Sequence, residues 1–337
     1  MTNRRYVAIG LSAFLIAVLW LEPTPLVAQN ARKAWSAPRT PDGQPDLQGV
    51  WNFATATPLE RPHEFAGKEF LTEAEAAEFE AREARRQSRD LVDPAQGGAG
   101  YPSASQGGVV PYNDFWYERG TRVVPNRRTS LIIDPSNGRL PPLTPEGERR
   151  ERAWARMRAA RPNSWLDFTV DDRCILGLNS GPPMTPGAYN QNVQLFQTRD
   201  HVVILNEMVH NARVVPMDGR PHGNIHQWAG QSRGRWDRDT LVVDTRNFAG
   251  GTAFQNGITT ANLHLLERFT RIDEDTLLYQ FTVNDPSIWT KPWTAAIPMR
   301  KVSDRMYEYA CHEGNYSMAN MLRGARTQEK AAEVPKK

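Results

Sequence analysis

The residues best placed to do chemistry are ionisable groups set into otherwise apolar, strand-like sequence. From Val202 to His210, Glu207 shares one face with Val203, Leu205 and Val209, while His210 shares the other with Ile204, Asn206 and Met208. A strand turns successive side chains to opposite faces, so whichever face is inside takes an ionisable group with it. The same holds for Leu263 to Ile272, where Glu267 goes with Leu265 and Phe269, opposite His264, Leu266 and Arg268. A carboxyl held among apolar groups has a raised pKa unless it is paired, which is the condition a general acid needs near neutral pH. Glu207, His210, Glu267 and His312 are the expected proton-transfer set, with Arg213 and Arg268 orienting them or neutralising an anionic substrate. His222, Trp228, His264 and Glu313 complete the expected substrate-binding set. The competing reading of each glutamate is an internal ion pair with Arg213, Arg233 or Arg268. For Cys311-His312-Glu313-Gly314-Asn315, the competing reading is helix capping by Asn315.

The histidines also raise the question of a metal. His222 and His226 have i,i+4 spacing, which brings two imidazoles to one ion only in a helix, and Pro221 and Gly223 oppose a helix there. Along a strand their Cα atoms would be about 13 Å apart. A three-histidine site drawing on His210, His222 and either His264 or His312 remains as an alternative, while the leading reading requires no cofactor. No Gly-x-Ser-x-Gly elbow, phosphate loop or dinucleotide fingerprint is present, so serine-hydrolase, nucleotide and NAD chemistry have no positive support.

The elements that must position these groups are mostly strands. From Asn192 to Cys311, short strand candidates follow one another with turn signals between them. They are Val193 to Thr198, Val202 to Val209, Arg213 to Pro216, Ile225 to Trp228, Gly234 to Trp236, Thr240 to Thr245, Leu263 to Ile272, Thr276 to Val283, Ala295 to Val302 and Met306 to Cys311. An earlier strand begins at Gly49-Val50-Trp51-Asn52-Phe53, and Arg128 to Ile133 reads as another. Thr72-Glu73-Ala74-Glu75 has capping-box spacing and opens a helix to Asp90. Thr144-Pro145 opens a second helix to about Ala160. A third is expected from Asn315 to about Arg326. Consecutive strands with hairpin-length links predict a mainly β fold: an antiparallel meander closed into a barrel, or a two-sheet sandwich, with a few peripheral helices; the Gly49-Val50-Trp51 opening resembles that of a lipocalin-like barrel.

The chain of 337 residues divides by these signals into residues 1–28, 29–180, 181–326 and 327–337. The first carries Arg4, Arg5, an apolar run from Val7 to Trp20 and Ala28, the order of a secretory signal peptide, too short to span a bilayer. The second holds the two helices and early strands, the third the strand-rich core and last helix, and the fourth is a Lys-rich tail expected to be disordered. With 41 basic and 38 acidic residues, and arginine runs interleaved with glutamate, there is no concentrated basic face for nucleic acid. The expected partner is a small-molecule ligand or substrate, met in the periplasm or outside the cell, with no stable membrane insertion after cleavage. Cys174 and Cys311 allow one bridge in an oxidising compartment, contributing on the order of 4 kcal/mol, or else stand as buried thiols. Ten tryptophans serve mainly core packing, although Trp228, Trp236, Trp289 and Trp293 lie where they could stack on a sugar or aromatic ligand.

The segments GPPMTPGAYN, VVILNEMVHNARVVPMDGRPH, QSRGRWDRDTLVVDTRNF, ERFTRIDEDTLLYQFTV and YACHEGNY together resemble a large family of exported, mostly uncharacterised bacterial proteins, over about residues 45–325. The family resemblance implies export but no particular activity. The chain departs from the family pattern at His226, commonly arginine, and at Gln231, commonly aspartate, so a mechanism requiring His226 gains nothing from it. The combined expectation is an exported, cofactor-free barrel enzyme doing acid/base chemistry (hydrolysis, elimination or isomerisation) on a small apolar or sugar-like substrate. A lipocalin-type binding protein without catalysis is the alternative, and a His-ligated metal protein the second.

Overall fold

Alternating burial along the strands organises the molecule. In the computed structural model, residues 35–333 are described apart from 89, 92, 94, 96–113 and 253. Residues 1–28, expected as a signal peptide, and most of residues 93–111 lie outside the described residues. Ten strands form one antiparallel sheet: β1 (Gly49–Asn52), β2 (Ile132–Asp134), β3 (Asn192–Gln197), β4 (His201–Asn206), β5 (Ala212–Pro216), β6 (Gln231–Asp237), β7 (Thr240–Arg246), β8 (His264–Arg271), β9 (Thr276–Asn284) and β10 (Trp293–Val302). The hydrogen-bonded order is β5-β4-β3-β1-β10-β9-β8-β7-β6, with β2 also paired to β10. Two meanders, β3 to β5 and β6 to β10, are thus joined through β1. The N-terminal region therefore supplies a central strand of the sheet and does not merely pack on it.

The mainly β, antiparallel expectation holds, but the sheet does not close. Strands β5 and β6 are its two ends, with no ladder between them. They are linked by a long segment containing Gly219 and Pro221, which cannot make a hairpin. The ends meet instead through side chains: a Cβ at Gly234 of β6 would stand 2.2 Å from Met217 Sδ and 2.9 Å from Val215 Cγ1. The sheet is rolled around the main core, and Arg213 of β5 reaches Glu267 of β8 across its interior. That interior is filled by packed rings. Tyr279 lies 4.9 Å from Phe269 and 5.5 Å from Phe281, and Trp293 is 5.8 Å from Phe281 (centroid distances).

Three helices lie outside the sheet: α1 (Glu73–Gln87), α2 (Pro145–Ala159) and α3 (Ser317–Glu333). Thr72 and Glu75 form the expected capping box on α1, whose Ala76 and Phe79 pack beside Leu71 in a small satellite core. Thr144 accepts the Gly147 N–H at the start of α2, with Pro145 in the first turn. Helix α3 starts two residues later than expected and runs to Glu333, so residues 327–333 of the expected disordered tail are helical. Asn315 accepts the Ser317 N–H just ahead of that helix, as the capping reading required.

Three expected strands differ. The Val202 to Val209 strand ends at Asn206, because the chain turns there into a 3₁₀ segment, Met208–His210, with Val209 and His210 at φ 58° and 42°. Residues 225–228 form no strand; Gln227 makes an isolated parallel bridge with Phe248, just beyond β7. Residues 306–311 form no strand and have no ladder partner; half of them are exposed. Among the described residues no helix is long and apolar enough to cross a membrane.

Candidate functional site

Glu267 and Arg213 are brought together, but away from solvent. Both are buried, and Arg213 donates from both terminal nitrogens to the two Glu267 oxygens, at 2.6 and 2.8 Å. The Tyr279 hydroxyl donates to the same carboxylate at 2.8 Å and accepts the Met184 N–H at 3.1 Å. Burial pulls the Arg213 pKa down, but the facing Glu267 charge and hydrogen bonds outweigh it and hold the guanidinium charged. Burial first, then the Glu267 charge, push the Tyr279 phenol well above its usual range, so it remains a donor. The strand alternation read from the sequence correctly placed an ionisable group inside. Its occupant has the geometry of a structural ion pair, with Arg213 the partner among the three arginines considered. Arg268 points to the other face and pairs with Asp237 at 3.0 Å.

His222 and His264 flank Asp244 of β7 on the outside of the sheet. His264 Nε2 is 3.0 Å from Asp244 Oδ2, His222 Nε2 is 3.5 Å from Oδ1, and Arg246 donates to the same carboxylate at 2.9 Å. Burial raises the Asp244 pKa, but the hydrogen bonds and charges of His264 and Arg246 hold it far below the usual carboxylate range. Both imidazoles thus turn a nitrogen to a carboxylate, and His210 lies against the Tyr309 carbonyl at 3.3 Å. Among the described residues no group of three His, Cys, Asp or Glu side chains is arranged to hold a metal ion, which corrects the proposed three-histidine set. His226 bonds the Phe248 carbonyl at 2.8 Å. Trp228 is exposed, with Arg173 stacked 5.7 Å from its ring centroid.

Glu207 is the expected catalytic residue that lands in a reactive setting. It follows β4 directly and stands at the N-cap of the 3₁₀ segment that carries His210, so the two do not lie on opposite faces of one strand. Its side chain is 7% exposed, and Oε2 accepts the Asn192 amide at 2.9 Å. Asn192 in turn accepts from Asn52 at 2.8 Å, and Asn52 also donates to Glu118 at 2.8 Å. Two carboxylates are therefore tied together through two asparagines where β1, β3 and β4 meet. Burial, then the Glu118 charge, raise the Glu207 pKa against the opposing hydrogen bonds from Asn192 and Asn190. Glu118 is exposed, so environment splits the pair into a buried member whose pKa is raised and an open one.

Tyrosine rings stand beside this pair. Tyr189, next to Asn190, stacks on Tyr309 at 6.2 Å with 25° between planes and lies 6.2 Å from Tyr117. The Cys174–Cys311 disulfide pins the Tyr309 segment, on which exposed His312 and Glu313 follow. Glu207, His210 and the segment bearing His312 thus gather at one end of the sheet, while Glu267 is sealed inside. A 420 Å³ cleft lined by Asn52, Glu118, Arg119, Arg300 and Lys301 opens on the Glu118 side.

Sequence reasoning missed Glu118, Asn52, Asn192, Tyr189 and Tyr309. The amide-rich Asn190-Gln191-Asn192 ahead of a strand was a visible signal, but its partners come from far along the chain. Fold and site together define a mainly β protein with a carboxylate pair at one end of a rolled antiparallel sheet. The chain matches no family model, no curated protein and no solved structure, so the geometry alone carries the functional reading.

Proposed function

We propose that this protein is an exported, cofactor-free enzyme that uses a lipocalin-like rolled sheet as scaffold for acid/base chemistry on a small apolar or sugar-like substrate. The observation that carries this reading is the Glu207 and Glu118 pair, with one carboxyl buried and biased to its protonated form beside one that is open. Glu207 acts as the general acid, and Glu118 as the base or as the charge that stabilises a developing cation. The Tyr189 and Tyr309 faces offer a stacking surface for a pyranose or aromatic ring. His210, against the Tyr309 carbonyl, and His312 and Glu313 on the segment that follows Tyr309 contribute at the rim. Glu267 and Arg213 hold the scaffold. The disulfide supports the assignment to an oxidising compartment.

A lipocalin-type binding role inside the sheet has less support, because that interior is occupied by Trp51, Tyr279, Phe269, Phe281 and Trp293. The test is turnover of a panel of 4-nitrophenyl glycosides by the wild-type chain and Glu207→Gln. Hydrolysis by the wild type that declines as Glu207 deprotonates, and is absent in the folded variant, supports the assignment. Full activity in Glu207→Gln refutes it.

A further inference from the structure

The outward stripe of α2 faces a cavity. Its only buried residue is Gly147, near the start, so the helix is anchored at one end. Arg150, Trp154, Met157 and Arg158 recur at helical spacing on the wall of a cleft of about 760 Å³, with Phe168 and Arg173 across from them on the following loop. That volume lies within the range of small-molecule sites, roughly 300 to 1,000 Å³.

The two walls differ in chemistry in a way that selects a ligand. Arg150, Arg158 and Arg173 line the cleft against the single carboxylate of Asp171. Arg150 and Arg158 already have partners in Glu146 at 2.7 Å and Asp172 at 3.3 Å. Arg173 has no carboxylate within ion-pair distance among the described residues. Its guanidinium is held between aromatic faces, 5.5 Å from the Trp165 centroid and 5.7 Å from that of Trp228, while its Nε donates to the Thr169 carbonyl at 3.3 Å. The adjacent Cys174 is fixed by the disulfide. A stacked arginine loses little freedom on binding and presents its remaining N–H groups as a fork that matches a carboxylate. Met157, Phe168 and the exposed Leu178 supply the apolar surface for the rest of the molecule.

We propose that this cleft is a binding site for a small organic carboxylate with an apolar body, anchored on Arg173 and distinct from the Glu207 centre. Charge complementarity fixes the class: a neutral ligand leaves the arginine unpaired, and a bare inorganic anion leaves the Met157 and Phe168 surface uncovered.

The experiment is isothermal titration of the whole protein with 4-phenylbutyrate, with the neutral 4-phenylbutan-1-ol and inorganic phosphate as companions. Saturable one-to-one binding of 4-phenylbutyrate is expected. Arg173→Gln should weaken it by about tenfold or more, the loss of one charge-assisted pair. The alcohol and phosphate should each bind more weakly than the acid. Met157→Glu, which leaves Arg173 in place and sets a negative charge on the exposed helix wall, should weaken binding as well, giving a second reading if Arg173→Gln fails to fold. Absence of saturable binding, unchanged affinity in either folded variant, or phosphate binding as tightly as the acid overturns the proposal.

Discussion

Two glutamates that look alike in sequence have opposite physical roles at the level of single residues. Glu267 sits in a buried two-point ion pair with Arg213, so removing one partner strands a buried charge, at about 3 to 5 kcal/mol. Glu267→Gln or Arg213→Met should lower the chemical-denaturation midpoint sharply, whereas the double replacement Arg213→Met with Glu267→Leu should recover much of the loss. A double variant as unstable as the worse single one would show that the pair does more than neutralise itself. Glu207 should behave differently, because its folded-state pKa is raised from 4.5 by burial and by Glu118. Below pH 4.5 the group is protonated in both folded and unfolded chains and costs nothing. As pH rises through the raised folded value, the unfolded chain releases its proton first, so this group's contribution to stability declines. Glu207→Gln should remove that decline from a stability-against-pH curve while leaving the fold intact. A curve with the same slope as wild type would contradict the raised pKa.

At the scale of elements, propensity and packing compete openly in α2. Gly147 lies in its first turn, where alanine would favour the helix by about 1 kcal/mol. A Cβ there would stand 2.5 Å from the Ile288 carbonyl oxygen, and Thr144 is bound to the same carbonyl through its N–H at 2.8 Å. Backbone on both sides leaves little room to adjust, so overpacking by about 1 to 3 kcal/mol should win. Gly147→Ala is expected to lower the unfolding temperature, and a rise would mean that α2 shifts away from the body at little cost. The strand elements show the same competition. Val202 to Val209 has an unbroken strand pattern, yet the ladder stops at Asn206, whose N–H donates to the Asn211 carbonyl at 2.9 Å to begin the turn into β5. That early turn brings Glu207 to Asn192 and separates it from the core.

For the whole molecule, the sheet and its disulfide are largely independent supports. Cys174 and Cys311 lie outside every strand, with a sequence separation of 137. A bridge over that length raises the free energy of the unfolded chain by about 5 kcal/mol in the chain-entropy account. Reduction with dithiothreitol, or Cys174→Ser with Cys311→Ser, should therefore lower the unfolding midpoint while the far-ultraviolet spectrum keeps its β signature below the transition. Loss of that signature on reduction alone would mean the strands depend on the bridge for their assembly.

What the sequence determined by itself were the local properties: an expected strand overlapping each of the ten observed, including β1 at Gly49–Asn52, the capped starts of α1 and α2, and an ionisable group on whichever face of β8 is buried. Each follows from side-chain periodicity or a cap within a few residues of chain, where the physics is short-ranged. The edges of those elements were less legible, since Asn206 and Met208–His210 are set by hydrogen bonds to the next strand and by left-handed backbone at Val209 and His210. Only the tertiary structure decided that Arg213 answers Glu267, that β5 and β6 meet without a ladder, and that Glu118 lies beside Glu207. These depend on chain segments brought together across long separations, and charge, burial and stacking act through space without regard to position along the chain.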